Sequence, residues 1–178
     1  LKNGLWENSN LKFERLSGTA EKPIVIRAET PGRVVFTGAT EFRISGQYIT
    51  VSGLVFRNTS GVSDVVQLRT HSERHAHHCR MTDCIFEETD DFDAKTESRW
   101  LSVYGTHNRI DHCYFAGKKN RGPTFVVWLG EEPQYHLIDH NHFGPRPELG
   151  KNGGETIRIG TSEISERDSL TTVEYNYF

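Results

Sequence analysis

Ile110-Asp111-His112-Cys113-Tyr114-Phe115 and Ile138-Asp139-His140-Asn141-His142-Phe143 are one pattern written twice: an apolar residue, four more residues, then Phe. The same frame fits Val51-Ser52-Gly53-Leu54-Val55-Phe56, Met81-Thr82-Asp83-Cys84-Ile85-Phe86 and Val173-Glu174-Tyr175-Asn176-Tyr177-Phe178. The period is roughly 30 residues, which marks a stack of structural repeats. Two residues before each Phe stand Leu54, Cys84, Cys113, Asn141 and Asn176. That column is mostly small or amide, as an inward stack requires. An antiparallel sandwich also has many short strands, but a meander has no reason to repeat one cross-section.

A second column runs between these segments: Val65-Val66-Gln67-Leu68, Trp100-Leu101-Ser102-Val103-Tyr104, Phe125-Val126-Val127-Trp128-Leu129 and Thr156-Ile157-Arg158-Ile159. Each repeat therefore holds at least two strands. Helical periodicity is nearly absent, and β-rich runs alternate with Gly, Asn, Asp and Thr clusters. Before the repeat, Leu11–Leu16, Ile24–Ala28, Val34–Gly38, Phe42–Ile44 and Tyr48–Val51 read as strands, the last two split at Gly46. These features predict an all-β chain wound as a right-handed parallel β-helix, one solenoid domain over residues 1–178. Like positions of successive coils should stack about 4.8 Å apart. Each buried Phe should contribute about 1.5–3 kcal/mol. A solenoid needs a cap at each end. No capping helix precedes Leu1, and the chain stops on Phe178 within the pattern, so the expectation is a slice of a longer solenoid.

Composition narrows the function classes. A chain of 178 residues can bury a real core. Its net charge of −3, from 21 basic and 24 acidic residues, gives no global field for nucleic acid. No apolar run is long enough to cross a membrane as a helix. Cys79, Cys84 and Cys113 are too sparse for a disulfide scaffold and read as buried thiols. Nucleotide loops, metallopeptidase helices and nucleophile elbows are absent.

Several clusters could carry chemistry. His71, His75, His77 and His78 resemble metal ligands in type, but their spacing matches no closed zinc pattern, and the run reads as an exposed loop. Asp90, Asp91 and Asp93 read as a solvated acidic loop. Lys118, Lys119 and Arg121 form a basic loop, which either lines an anion groove or is simply solvated. Arg99 to Arg109 mixes aromatic and basic groups that suit a sugar acid, a ring face for the sugar and a cation for its carboxylate. The strongest stretch is Lys151 to Ser162. Asn152 and Glu155 flank Gly153 and Gly154 with oxygens that suit a hard cation. On the strand that follows, alternation puts Ile157 and Ile159 toward a core and Thr156 and Arg158 outward. If the columns align, Arg158 shares a face with Tyr104 and Trp128.

Glu97 to Phe115, Gly122 to Trp128 and Asn152 to Gly160 resemble polysaccharide lyase family 6, which holds alginate lyases and chondroitinase B-like enzymes on a right-handed parallel β-helix. Gly18 to Glu29 resembles the family's early coils. The resemblance implies β-elimination on a uronate polysaccharide, with Ca²⁺ neutralising the carboxylate next to the proton removed, a Lys as base and an Arg across the reaction. It implies that Asn152 helps hold the Ca²⁺ and that Arg158 and Tyr104 contact substrate. The family's paired calcium-binding Glu residues, catalytic Lys and catalytic Arg fall after Phe178. The expectation is a chain carrying one side of an active site, inactive until the rest of the solenoid or a second fragment completes it. The expected partner is alginate, with dermatan sulfate and a non-catalytic glycan-binding β-helix as alternatives. A polymeric substrate implies a secreted or periplasmic location.

Overall fold

Each coil of the chain lays down strands in three sheets that run side by side along one axis. The computed structural model describes residues 1–89, 91–92, 96–147 and 153–178. The first sheet stacks Gly4–Glu7, Val34–Gly38, Leu54–Thr59, Ile85–Glu87, Tyr114–Ala116 and His142–Phe143. The second stacks Asn10–Ser17, Glu41–Gln47, Asp64–Gln67, Arg99–Val103, Phe125–Val127 and Ile157–Ile159. The third stacks Ile24–Arg27, Ile49–Ser52, Arg80–Thr82, Arg109–Asp111, Leu137–Asp139 and Thr172–Glu174. These pairings are parallel, from Gly4 opposite Val34 to Ile138 opposite Val173. The architecture is the parallel β-helix read from the repeat.

The repeated Phe makes the core. Phe36, Phe56, Phe86, Phe115, Phe143 and Phe178 form one ladder, with centroids 5.2, 4.8, 4.9, 5.0 and 5.0 Å apart. Parallel in-register pairing brings like positions together one strand spacing apart, so a residue that fits once fits in every coil. The column two residues earlier is buried from Leu54 to Asn141. Its amides close backbone groups that the corner leaves open: the Cys113 N–H donates to Asn141 Oδ1 (3.0 Å), and the Asn141 N–H to Asn176 Oδ1 (2.9 Å). Cys79, Cys84 and Cys113 are free, buried thiols, as read.

Corners use left-handed backbone. Tyr48, His78, His107 and Tyr135 each hold φ between 52° and 54°. Their rings stack outside the barrel at 4.9, 4.7 and 5.2 Å. Stacking between coils offsets the strain of a non-Gly residue at positive φ.

Three readings need correction. The break between the fourth and fifth early strands lies at the Tyr48 corner; Gly46 is inside the strand Glu41–Gln47. Glycine is needed there because a Cβ would sit 1.9 Å from Leu16 O. The His-rich run is a hairpin, Arg69–His71 against Arg74–His77, the antiparallel pair that joins the second sheet beside Glu41–Gln47. The exposed loop expected there is only its tip. Finally, Ile157 packs against the core, but Ile159 is exposed, as no strand among the described residues covers that end of the second sheet.

Candidate functional site

The outward face of the second sheet changes chemistry coil by coil. Register sets Arg43, Gln67, Ser102, Val126 and Arg158 in one column. Two residues further along each strand, on the same face, come Arg69, Tyr104, Trp128 and Gly160. The Arg69 guanidinium carbon lies 3.9 Å from the centre of the Tyr104 ring. Tyr104 and Trp128 stack at 6.0 Å and 10°. The Arg158 and Arg99 guanidinium carbons lie 5.4 and 5.6 Å from the Trp128 ring centre. Cations over ring faces are held by the ring quadrupole, so this column is an ordered cation–aromatic stack.

A buried polar network fixes Trp128. Arg99 binds Asp64 through both oxygens, Nε to Oδ1 at 2.6 Å and an NH₂ to Oδ2 at 2.8 Å. The Ser102 hydroxyl donates to Asp64 and accepts from Trp128 Nε1 at 3.2 Å. Burial pushes the Asp64 carboxyl up, but Arg99 and Ser102 outweigh it and hold the group below the ordinary carboxylate range. The strand makes room for this. Trp100 N–H and Leu101 N–H both donate to Thr124 O at 3.1 Å, so both side chains turn into the core and Arg99 and Ser102 turn out. Trp100 is therefore structural, packed 6.2 Å from Phe86.

The Gly-rich turn is held from below. Arg146 donates to Asn120 O (2.8 Å), Gly122 O (3.0 Å), Glu155 O (3.2 Å), Gly153 O (3.3 Å) and Thr124 Oγ1 (3.2 Å). One guanidinium thus ties the coil at Gly122 to the coil at Gly153. Gly153 has φ 103°, which a side chain would strain. Beside this tie, Lys118 is 1 % exposed, and burial pulls its ammonium down to about 7. It donates to Asn120 O (3.1 Å) and Arg121 O (3.2 Å). The solvated reading of this basic loop is wrong for Lys118, because backbone carbonyls satisfy the buried amine.

Arg158 faces outward over Trp128, and its Nε is buried without a hydrogen-bond partner among the described residues. Tyr104 shares that face but is 8 % exposed, lying beneath Arg69, and burial pushes its phenol up to about 12. Asn152 lies outside the described residues, as do Asp90 and Asp93. Glu155, three residues after Asn152 in the sequence, has Oε2 buried without a hydrogen-bond partner among the described residues. An unpartnered carboxylate oxygen fits a hard cation, whose ligands are oxygens. Sequence reasoning missed Arg69, Asp64 and Arg146. The signal for Arg69 was present: it stands two residues after Gln67, as Tyr104 stands after Ser102.

The family described as Chondroitinase B matches residues 1–178. A PL6 family alginate lyase, AlyGC, is similar over 99% of this chain and 25% of its own, at 42% identity and TM-score 0.92. A mannuronic acid specific family 6 lyase from human gut microbiota is similar over 98% of this chain and 41% of its own, at 37% identity and TM-score 0.89. The chain thus spans well under half the length of either. Comparison with curated protein sequences gives no match.

Proposed function

The chain belongs to the chondroitinase B family, the family 6 polysaccharide lyases, and on that premise we propose that its second-sheet face is one wall of the groove of an alginate lyase acting by β-elimination. The observation that carries the reading is the outward column itself. Arg158 presents a cation beside Trp128, close in sequence to Glu155, whose Oε2 lacks a partner among the described residues. A uronate offers the matching groups, a ring and a carboxylate.

In the proposed reaction a base takes the C5 proton of a uronate. The freed electron pair forms the C4–C5 double bond, the C4–O bond breaks, and the departing oxygen is protonated. Arg158 binds the uronate carboxylate, and Trp128, held by Ser102 and Asp64, keeps that guanidinium in place. Asn152 and Glu155 would hold Ca²⁺, which when bound neutralises carboxylate charge and makes the C5 proton easier to remove. Arg146 fixes the backbone of that turn. We assign the base, a Lys, and the catalytic Arg to coils beyond Phe178. In support, this chain spans only 25% and 41% of the length of the two lyases it resembles. Residues 1–178 alone would then bind but not turn over substrate. A polymer of this size implies a secreted or periplasmic enzyme.

The family description favours dermatan sulfate as a second substrate reading. The test is the ultraviolet absorbance of new unsaturated uronate ends, produced by the full natural protein. Mannuronate-rich alginate, guluronate-rich alginate and dermatan sulfate are each offered with calcium and with chelator. Cleavage of an alginate that fails with chelator supports the proposal. Cleavage of dermatan alone moves it to the second reading. Binding without cleavage of any polymer would leave a glycan-binding solenoid.

A further inference from the structure

A groove of ≈ 490 Å³ opens on the second sheet, on the Arg69 side of the aromatic stack. Arg69, Tyr104 and Trp128 line it from the column described above. His75, from the hairpin, also lines it and lies 5.7 Å from the Tyr104 ring. The 128–134 loop adds Glu131 and Glu132, both exposed, and Gln134.

Two features mark it as built to bind. Arg69 spends one donor inside the protein, Nε to Gln67 Oε1 at 3.3 Å; its other N–H groups have no acceptor among the described residues. Its flat guanidinium is nevertheless fixed by the Tyr104 ring beneath it, so little freedom is lost when it binds. Gln134 is buried with Oε1 unpartnered among the described residues, while its amide donates to Glu132 O at 2.6 Å. A ligand that suits this set needs an anionic fork-shaped group for Arg69 and hydroxyl donors for the Glu131 and Glu132 carboxylates. A sugar acid carries both. A plain anion would pair with Arg69 but meet the carboxylates' repulsion with no hydroxyl to offset it, and a neutral sugar would leave Arg69 unused.

Arg69 stands three coil steps from Arg158, on the order of 14 Å at about 4.8 Å per step. One sugar ring cannot touch both. We propose that this groove is a distal uronate subsite, in which Arg69 takes the carboxylate of a sugar several residues along the chain from the one at Arg158. It rests on the proposed function and adds a consequence that reading lacks: the enzyme measures substrate length.

The test compares the full natural protein with Arg69→Gln and Arg69→Lys on purified uronate oligomers from trimer to hexamer. The quantity read is kcat/KM for the hexamer divided by kcat/KM for the trimer. Loss of one charge-assisted contact should lower this ratio about tenfold in Arg69→Gln. Arg69→Lys keeps an alkyl stem over Tyr104 but loses the planar fork, so it should lower the ratio by a smaller factor; it also serves if Arg69→Gln fails to fold. A ratio unchanged from wild type, whether overall activity falls or not, would overturn the subsite. If no uronate polymer is cleaved, the proposed function falls by itself. The subsite is then read from hexamer affinity by calorimetry, where equal affinity of wild type and variants overturns it.

Discussion

Phe86 and Trp128 both sit in stacks of rings, yet the two stacks follow opposite rules. In the interior ladder every coil from Phe36 onward supplies the same residue in nearly the same orientation. On the outer face of the second sheet the coils supply Arg69, Tyr104, Trp128 and Gly160, four chemistries in one column. The backbone imposes the same spacing on both. Inside, the lowest-energy answer to that spacing is repetition, because identical rings stack without voids. Outside, solvent removes that pressure, and the column is free to vary with what it meets. Sameness reports the fold, and difference reports the site.

The largest expected effect breaks the interior stack. Phe86→Ala removes a fully buried ring with neighbours at 4.8 and 4.9 Å, and should cost about 3–5 kcal/mol in chemical unfolding. Trp128→Ala, half-buried on the outer face, should cost clearly less. Equal losses would contradict the contrast between the stacks.

Next is the network beneath the outer column. Asp64→Asn leaves Arg99 without its carboxylate and weakens the Ser102 link to Trp128, and should cost about 2–3 kcal/mol. In the wild type the Asp64 value is lowered on folding, so this contribution is full at neutral pH and disappears as pH falls through the folded value. Melting of both proteins at pH 7 and at acid pH should show the difference narrowing.

Lys118 gives a slope of opposite origin. Its folded value is about 7 against an ordinary 10.5. Between these values the unfolded chain holds a proton that the folded chain does not, so stability rises with pH, at most by about 1.4 kcal/mol per unit. Below 7 both states are charged and the slope vanishes. Lys118→Met should remove this rise, checked by urea unfolding from pH 6 to 10.

The smallest effect on stability should come from Arg158→Ala. It should raise KM for uronate polymer about tenfold while stability changes by less than about 1 kcal/mol. A stability loss as large as that of Asp64→Asn would make Arg158 a structural residue.

Much of this was legible in the sequence. The Phe period fixed the cross-section, because one ring position repeated in five successive segments leaves few alternatives. The Tyr104, Trp128 and Arg158 face followed from strand alternation. Arg69 was obscured because its strand runs straight into the His-rich hairpin, where the repeat is interrupted. Tyr104 was read as exposed to ligand, and nothing in its own strand reveals that Arg69 from the preceding coil covers it. Lys118 was misread for a different reason. A lysine buried against carbonyls leaves no periodic trace, since its acceptors come from the fold of its own loop. The support of the Gly153 backbone by Arg146 was not legible, because it depends on contacts between coils, which spacing alone does not encode.

The most direct test of the contrast uses the tryptophans as reporters. Trp100 lies in the core and Trp128 on the outer face, so their indole N–H resonances, assigned by Trp→Phe substitution, watch the two stacks separately. A uronate hexamer titrated into the full natural protein should shift the Trp128 resonance and leave Trp100 in place. A hexamer that binds without moving Trp128 would contradict the assignment of this face as the glycan groove.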